Sequence, residues 1–318
     1  MGILKKKEKF TNPHVGNLRR NPWDFVLWKA GYYNDKLVKK LPPKDFRYPR
    51  KPHRKDTNNS CIWINHSTFL IKTKSLTILT DPLWANYCSP FPIVGLKRKH
   101  SPSISIENLP KIDLILISHN HYDHLDSRCV KKIHKKNPKA LWVVPLRLKK
   151  WFLRKGIQNV EELGWWETLS QKATITAVPA QHFSGRSFWD ANQTHWNGYV
   201  VKIKNSQKTF YFVGDTGYNR VDFKEIGEKF KKIDLSMIPI GTYVPRKFMK
   251  AVHINPIEAV KIHQDVKSKF SVGMHWKTFH LSDEPMDLPP YELYKEMKKA
   301  ELAPSSFIAP EPGEPIYW

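Results

Sequence analysis

LILISHNHYDHLD, residues 114–126, is the stretch that decides the fold, and its character changes after the first four residues. The run LILI has the apolar character expected of a buried strand. Four potential ligands follow it in an H-x-H-x-D-H spacing: His119, His121, Asp123 and His124. Imidazole and carboxylate groups are the ligands that zinc and related divalent metals prefer. The stretch therefore predicts a strand that holds metal ligands at its end.

The rest of the composition indicates a globular protein with a large positive charge. The chain has 318 residues, 40% of them hydrophobic, and a formal net charge of +24. No apolar run approaches the length that crosses a bilayer, and the N-terminal lysines are not followed by the apolar segment of a secretory signal. Three cysteines without C-x-x-C spacing favour a reducing compartment over a disulfide framework. We therefore expect a cytoplasmic protein.

The first part of the chain, residues 1–55, is predicted to be a basic, aromatic arm that precedes a single domain at residues 56–318. Residues 1–60 hold sixteen Lys and Arg against five Asp and Glu, which gives +11. Such a bias favours polyanions, either nucleic acid or anionic lipid. Aromatic residues among the charges in NPWDFVLWKAGYYNDK, residues 21–36, favour a membrane surface. The same segment, with a short helix at about 22–31, could instead pack on the main core.

Further along the chain, strands alternate with helices, and several predicted strands end at a residue that can bind a metal. These residues are His182 after ATITAVPAQ, Asp215 after TFYFVG and His275 after FSVGM. Residues 61–82 predict two strands joined at Lys74-Ser75, and residues 83–110 predict a long ordered loop. The sequence NPIE, beginning at Asn255, predicts a helix start with a capping box.

The strand-end residues are too many for one mononuclear zinc site, which needs three or four ligands, and they suit two ions. We predict one site from His119, His121 and His182. The second site would use Asp123, His124 and His275. Asp215 would bridge, because each of its carboxylate oxygens can bind one ion. Two neighbouring ions lower the pKa of a shared water and neutralise charge at the attacked centre, which suits hydrolysis of phosphodiesters, lactones or amides.

The same residues carry a resemblance to known proteins. SHNHYDHLD is similar to the signature of the metallo-β-lactamase superfamily, which implies an α/β fold, a four-layer αββα sandwich with a dinuclear site along one edge. More narrowly, the chain resembles the phospholipases D that hydrolyse N-acyl-phosphatidylethanolamine. The similar stretches run in family order from residue 63 to residue 290 and are LTDPLW, SPSISIENLPKIDLILISHNHYDHLD, PAQHFSGRS, FVGDTGY, IPIGTYVPRKFMKAVHINPIEAV and MHWKTFHL.

This resemblance implies a reaction and a role for individual residues. It implies two Zn²⁺ ions on the seven ligands, although manganese or iron also suits His and Asp donors. It implies that a bridging hydroxide hydrolyses N-acyl-phosphatidylethanolamine-like glycerophospholipids to phosphatidic acid and an N-acylethanolamine. Asp123 and His253 would be catalytic, with His253 near the metals or the substrate phosphate. Asp81, in TDP, would orient a ligand histidine.

The implied partners are a phospholipid substrate and, peripherally, an anionic membrane surface. Nucleic acid is not expected, and a homodimer is left open. Three alternatives use the same fold: a lactonase of the sugar-acid type, a metal-dependent nuclease and a non-catalytic scaffold. The lactonase shares an opening strand similar to WINHSTFLI. The scaffold is disfavoured because a chain that had lost catalysis should also have lost some of its ligands.

Two departures from the family pattern concern the substrate. Val252 stands where the family has a polar side chain before the histidine, and the basic arm does not match the family's N-terminus. Both leave the reaction class intact and affect only which lipid is bound. Among the other histidines, His66 is expected to give structural support, whereas three are expected to face solvent: His134, His263 and His280.

Overall fold

A computed structural model describes five parts of the chain: residues 8–15, 22–33, 41–49, 59–187 and 189–318. The remaining residues of the predicted N-terminal arm, and Phe188, lie outside the described residues. The predictions for the arm can therefore be compared with the structure only in part.

Sixteen strands and seven helices make up the described regions. The strands are β1 (Ser60–Asn65), β2 (Thr68–Lys72), β3 (Thr77–Thr80), β4 (Tyr87–Cys88), β5 (Leu96–Lys97), β6 (Leu114–Leu116), β7 (Leu141–Pro145), β8 (Val160–Leu163), β9 (Thr168–Ser170), β10 (Ala173–Val178), β11 (Gly198–Ile203), β12 (Thr209–Phe212), β13 (Leu235–Pro239), β14 (Ser271–Met274), β15 (Phe307–Ile308) and β16 (Pro315–Tyr317). The helices are α1 (Pro22–Lys29), α2 (Ser127–Lys136), α3 (Lys149–Leu153), α4 (Arg220–Phe230), α5 (Arg246–Met249), α6 (Pro256–Asp265) and α7 (Leu288–Lys299).

Two seven-stranded sheets form the centre of the fold. Their strand orders are β16-β1-β2-β3-β6-β7-β8 and β15-β14-β13-β12-β11-β10-β9. Apolar side chains of α2 and α3 pack on the outer face of the first sheet, and those of α4, α6 and α7 pack with the second. The order helix, sheet, sheet, helix confirms the predicted four-layer αββα sandwich.

The apolar run at the start of the opening stretch is buried on both faces of its sheet. Leu114 and Leu116 belong to the core cluster between the sheets, whereas Ile115 and Ile117 belong to the cluster under α2 and α3. Alternate side chains of a strand point to opposite faces, so a strand covered on both sides needs an unbroken apolar run. This requirement explains why every residue of the LILI run is apolar, rather than every second one.

Parallel pairing brings the functional ends of the strands to one edge. In the first sheet β3, β6, β7 and β8 are parallel neighbours, and in the second β12, β13, β14 and β15 are. Loops that leave the carboxyl ends of these strands therefore meet at the same edge of the sandwich. Among the predicted helices, α6 begins as expected: Asn255 and Glu258 form a capping box.

Three local predictions were wrong. Residues 61–82 form three strands rather than two, because the chain also turns at His66, which has a φ of +43°. Residues 83–110 are not only loop, since β4 and β5 form a hairpin within them. His263 does not face solvent: only 5% of it is exposed, and its Nδ1 lies 2.7 Å from Ser271 Oγ. His280 is exposed, as expected.

The described parts of the N-terminal arm pack on the domain. Trp28 of α1 is buried with Phe248 and Met249 of α5, and its Nε1 donates to Asp283. Tyr48 donates its hydroxyl hydrogen to the Phe307 carbonyl. Of the two alternatives for this segment, packing on the core is therefore the one seen at these residues. No helix among the described residues is long and apolar enough to cross a membrane.

Candidate metal centre

The seven predicted ligands and His253 converge at one edge of the sandwich. The loop after β6 carries four of them, and the others follow β10, β12, β13 and β14. The structure groups the side chains that could hold a metal into four overlapping sets, with all ligand atoms in a set within 4.8 Å of one another. The sets are His119, His121 and His182; His66, Asp123, His124 and His275; Asp81, His119 and His124; and His182, Asp215 and His253.

The first predicted site is a compact group of three imidazoles. Nε2 of His119 lies 2.8 Å from Nδ1 of His121, and Nε2 of His182 lies 3.3 Å from the same atom. His119 and His182 are buried, while His121 is half-buried. Three nitrogen atoms therefore lie within 4.8 Å of one another, and of the three rings that of His121 is partly exposed.

The second predicted site has the three expected side chains and one more. Asp123 Oδ2 lies 3.4 Å from His124 Nε2 and 3.6 Å from His275 Nε2. His66 Nε2 lies 3.0 Å from the same oxygen. His66 was expected to be structural support; its contact with Asp123 makes it part of the cluster.

Asp215 lies between the two groups. Its Oδ2 is 3.1 Å from His275 Nε2 and 3.2 Å from His124 Nε2 on one side. On the other side it is 3.8 Å from His182 Nε2 and 4.0 Å from His119 Nε2. The oxygen that lies near both groups is the same Oδ2, whereas the prediction gave one carboxylate oxygen to each ion, so bridging by Asp215 stays a prediction.

His253 lies at the same cluster and is more accessible than most of it. Its Nδ1 is 3.9 Å from Asp215 Oδ2, and its ring lies 5.2 Å from His182 and 5.4 Å from His275. About 12% of its side chain is exposed, compared with 0% for those two histidines. His253 is thus a partly exposed side chain at the edge of the cluster.

Groups behind the cluster fix the orientation of the buried imidazoles. Asp81 Oδ2 lies 2.7 Å from His124 Nδ1, and the Val252 carbonyl accepts from His182 Nδ1 at 3.0 Å. Thr242 Oγ1 lies 3.1 Å from His275 Nδ1. In each case Nδ1 is held from behind and Nε2 faces Asp215. Metal-binding histidines are commonly oriented in this way. The contact at Val252 uses the backbone, so its departure from the family pattern leaves this role intact.

Asn12, far away in sequence, holds the backbone of His182. Its Nδ2 donates to the His182 carbonyl at 2.9 Å, and its Oδ1 accepts from the His182 N–H at 3.1 Å. Asn12 is 3% exposed. The described segment 8–15 therefore supports the site directly. The sequence does not predict this role of Asn12, because no sequence pattern relates two residues that are 170 positions apart.

Three residues of the site have left-handed backbone conformations. The φ angles are +43° for His66, +29° for Asp81 and +62° for His275. Non-glycine residues adopt such angles at a cost, and they cluster where surrounding contacts over-determine them. At Asp81 such contacts are present, because its carboxylate also accepts from the N–H and the hydroxyl of Ser118. The strain is consistent with a backbone that is shaped to aim ligands.

Burial and mutual proximity set the charge states of the cluster. Burial opposes ionisation of Asp123 and Asp215, but the His124 imidazole lowers the pKa of both carboxyls well below their usual range. Burial, together with neighbouring imidazoles, holds the pKa of His119 well below its ordinary value. Although burial opposes it, the Asp215 carboxylate raises the pKa of His124 well above its ordinary value and that of His275 to about 9. Ionised carboxylates and the neutral imidazole of His119 are forms that donate lone pairs to a cation, whereas His124 and His275 would release a proton on binding one.

The side chains present fit a metal ion. Within the described part of the chain, the buried atoms without a well-formed hydrogen bond include Asp215 Oδ1, and also His124 Nε2 and His275 Nε2, which make only ion-pair contacts with the carboxylates of Asp123 and Asp215. Buried polar atoms are nearly always satisfied, so unsatisfied ones that converge need an explanation. A cation coordinated by the cluster would satisfy them, and nitrogen and oxygen donors of this kind suit zinc, iron or manganese.

Comparison with known proteins identifies the family of the chain. Residues 77–276 match the model of the β-lactamase superfamily domain. The chain is 41% identical to N-acyl-phosphatidylethanolamine-hydrolyzing phospholipase D 1 of Caenorhabditis elegans, over 98% of this chain and 96% of that one. The match therefore extends into the basic arm, and the expectation that the arm departs from the family's N-terminus was wrong. It is 39% identical to the mitochondrial N-acyl-phosphatidylethanolamine-hydrolyzing phospholipase D of Saccharomyces cerevisiae, over 70% of this chain and 48% of that one.

A solved structure shows the same fold at low identity. A metallo hydrolase of the archaeon Ignicoccus hospitalis superposes with a TM-score of 0.61 at 20% identity, and the match covers 82% of this chain and 98% of that one. At this level of identity the likeness concerns the fold alone.

Proposed function

The chain belongs to the β-lactamase superfamily and is a metal-dependent hydrolase, and from this premise we propose that it is a zinc phosphodiesterase of the phospholipase D type. The proposed substrates are glycerophospholipids that resemble N-acyl-phosphatidylethanolamine. The proposed products are phosphatidic acid and an N-acylethanolamine. The support from relatives is the 41% identity over almost the full length to an enzyme named for this reaction.

The observation that carries the proposal is the position of Asp215. A single oxygen, its Oδ2, lies within 4.0 Å of a nitrogen atom from each of five histidines. They are His119, His124, His182, His253 and His275. Four of them and Asp215 are predicted ligands, and the fifth is the predicted substrate-binding residue.

We propose that two ions bind here, one held by His119, His121 and His182 and the other by Asp123, His124 and His275, with Asp215 shared. When bound, a pair of ions makes water nucleophilic near neutral pH and neutralises charge on a phosphoryl group. Asp215 keeps the two ligand groups together, while the contact between His66 and Asp123 fixes the second group. Because water would be the nucleophile, the proposed hydrolysis requires no serine or cysteine nucleophile.

We assign His253 a role in binding the phosphoryl group of the substrate. Its partly exposed ring faces Asp215, so a phosphoryl group presented to the cluster would meet it first. We propose that its ring N–H donates a hydrogen bond to a phosphoryl oxygen and holds the phosphorus in line for attack. Orienting a reacting group in this way lowers the entropic part of the barrier. The alcohol that leaves is the N-acylethanolamine.

The test uses the metal-loaded protein, vesicles of N-acyl-phosphatidylethanolamine and identification of the products by mass spectrometry. We expect phosphatidic acid and N-acylethanolamine in equal amounts, lost after chelation and restored by zinc. Asp215→Asn should abolish turnover. Asp113→Asn is the matched control, since Asp113 precedes the opposite end of β6 and accepts from the Thr77 N–H. Turnover of a lactone but of no phosphodiester would refute the proposal and favour the sugar-acid lactonase.

A further inference from the structure

An exposed apolar cluster occupies the tip of the β4–β5 hairpin. Residues 89–95, SPFPIVG, connect the two strands, which pair Tyr87 with Lys97 and Cys88 with Leu96. Four large apolar side chains of this hairpin are exposed: Phe91 by 61%, Ile93 by 77%, Val94 by 59% and Leu96 by 44%. Single exposed apolar residues are ordinary, but a contiguous group of this kind marks an interaction surface.

The backbone holds the tip in one shape. Gly95 has a φ of +115°, and a Cβ at this position would lie 2.7 Å from Ser89 Cβ, so only glycine fits. Ser89 Oγ accepts from the Phe91 N–H at 3.1 Å. Pro90 and Pro92 restrict their own φ angles. The apolar side chains are thus presented on a preformed turn, which lowers the entropic cost of binding.

The base of the hairpin is fastened beside the metal centre. Arg98 is buried and donates to the carbonyls of Ala85 and Leu83. The Lys99 N–H donates to the Thr278 carbonyl, and Thr278 Oγ1 in turn accepts from the His66 N–H. The His66 side chain contacts Asp123. The base of the hairpin is therefore linked to the metal centre through Thr278 and His66.

The positive charge beside the apolar tip indicates which kind of partner surface the hairpin can bind. Residues 82–106 contain no Asp or Glu, and Lys97 and Lys99 are exposed next to the apolar tip. Two copies of the same basic hairpin would repel one another, whereas an anionic lipid surface would attract it. Lipid would also accept the apolar tip, because interfacial elements combine an apolar face with basic residues.

We propose that the β4–β5 hairpin inserts its tip into an anionic lipid surface and so places the metal centre at the membrane. The inference rests on the proposed lipid substrate, since it names the element that brings the enzyme to it. It differs from a role for the basic arm alone, because the hairpin belongs to the domain and adjoins the site.

The test is sedimentation of the full chain with vesicles of phosphatidylcholine containing phosphatidylserine. We expect Phe91→Ser/Ile93→Ser/Val94→Ser to weaken binding by about tenfold or more, since each side chain removed takes apolar area from the contact. Lys97→Glu/Lys99→Glu should abolish the preference for phosphatidylserine over pure phosphatidylcholine. Leu153→Ser, which removes an exposed apolar side chain of α3, is the matched control and should bind like the natural chain.

A label at the tip reports insertion directly. An environment-sensitive fluorophore on Ile93→Cys, in a Cys88→Ser background, should shift to the blue when vesicles are added; the other two cysteines are buried. Unchanged sedimentation of the triple variant, or a label that stays in water, would overturn the inference. A change in oligomeric state with vesicle binding intact would overturn it too, and would assign the tip to a second copy of the chain.

These outcomes separate the inference from the proposed function. Turnover of a soluble short-chain phosphodiester should be the same in the triple variant and the natural chain. If neither protein hydrolyses any phosphodiester but only the natural chain binds vesicles, the proposed function fails and the inference stands. If both hydrolyse N-acyl-phosphatidylethanolamine and bind vesicles equally, the function stands and the inference fails.

Discussion

Asp81 is the residue on which the orientation of His124 most directly depends. Its Oδ2 holds Nδ1 of that imidazole at 2.7 Å, so Nε2 must face Asp215. We expect Asp81→Asn to keep the fold and to weaken metal binding by about 10- to 100-fold, as removal of such orienting partners commonly does. Competition with a coloured chelator would measure the change.

The control for Asp81 is another buried acid far from the cluster. Asp234, at the start of β13, accepts from the Thr209 N–H and is 3% exposed. Asp234→Asn should leave the metal affinity unchanged even if it lowers the melting temperature. An Asp81→Asn protein that binds metal as tightly as the natural chain would remove Asp81 from the site.

Asn12 supports His182 through its backbone, and we expect Asn12→Ala to weaken metal binding by about tenfold. Asn12→Asp keeps the oxygen that accepts from the His182 N–H but places a second acceptor against the His182 carbonyl, so it should weaken metal binding as well. His14→Ala, in the same segment but in contact with Asp222 of α4, is the control. Equal metal affinity in all three variants would mean that Asn12 only fastens the segment to the domain.

At the scale of single residues, the sequence predicts ligands better than the groups that orient them. His119, His121 and His124 are evident because they follow an apolar run in a tight pattern. The role of Asp81, in TDP, is implied only by the resemblance to the metallo-β-lactamase superfamily. The contact of His66 with Asp123 depends on a positive φ, which histidine adopts only in its tertiary surroundings. Asn12 depends on the folding of two distant segments against one another.

At the scale of elements, α6 packs on the second sheet through a buried histidine whose titration should affect stability. Burial lowers the pKa of His263 to about 4, below the usual 6.5. Its folded-state pKa is therefore depressed, and the unfolded chain takes up the proton first as the pH falls. The stabilisation is complete above about pH 6.5 and is lost progressively as the pH falls toward 4.

The loss should be visible in denaturant unfolding of the metal-loaded protein. Between pH 7.5 and 5 we expect His263 to account for about 2 kcal/mol of the fall in unfolding free energy. His263→Gln should therefore show a shallower dependence on pH than the natural chain. His280→Gln, which changes an exposed histidine, should keep the steeper dependence. Parallel curves for all three proteins would show that His263 does not titrate as a buried group.

Elements with strong local signals could be predicted, and elements that depend on a turn geometry could not. The LILI strand is set by its need to bury both faces, and α6 by the capping box at Asn255. The break between β1 and β2 falls at His66, where no glycine or proline marks a turn. The β4–β5 hairpin has only two residues in each strand, too few for an alternating pattern to show.

At the scale of the whole molecule, the sandwich could be predicted because SHNHYDHLD and the stretches around it resemble the metallo-β-lactamase superfamily, and that resemblance implies the fold. The arrangement of the N-terminal arm could not, because its basic and aromatic residues suit a membrane surface and a protein core equally. In the structure Trp28 packs on α5, four residues before His253, and Asn12 packs on His182. Two described parts of the arm, residues 8–15 and 22–33, thus contact residues at or near the metal centre.

The most direct test of the proposed hydrolysis is to find which product receives the oxygen atom of water. The metal-loaded protein would hydrolyse N-acyl-phosphatidylethanolamine in water enriched in heavy oxygen, and mass spectrometry would locate the label in the products. Attack on phosphorus at the cluster around Asp215 predicts the label in phosphatidic acid and unlabelled N-acylethanolamine, with no turnover after chelation. Label in the N-acylethanolamine, or equal turnover by the chelated protein, would contradict it.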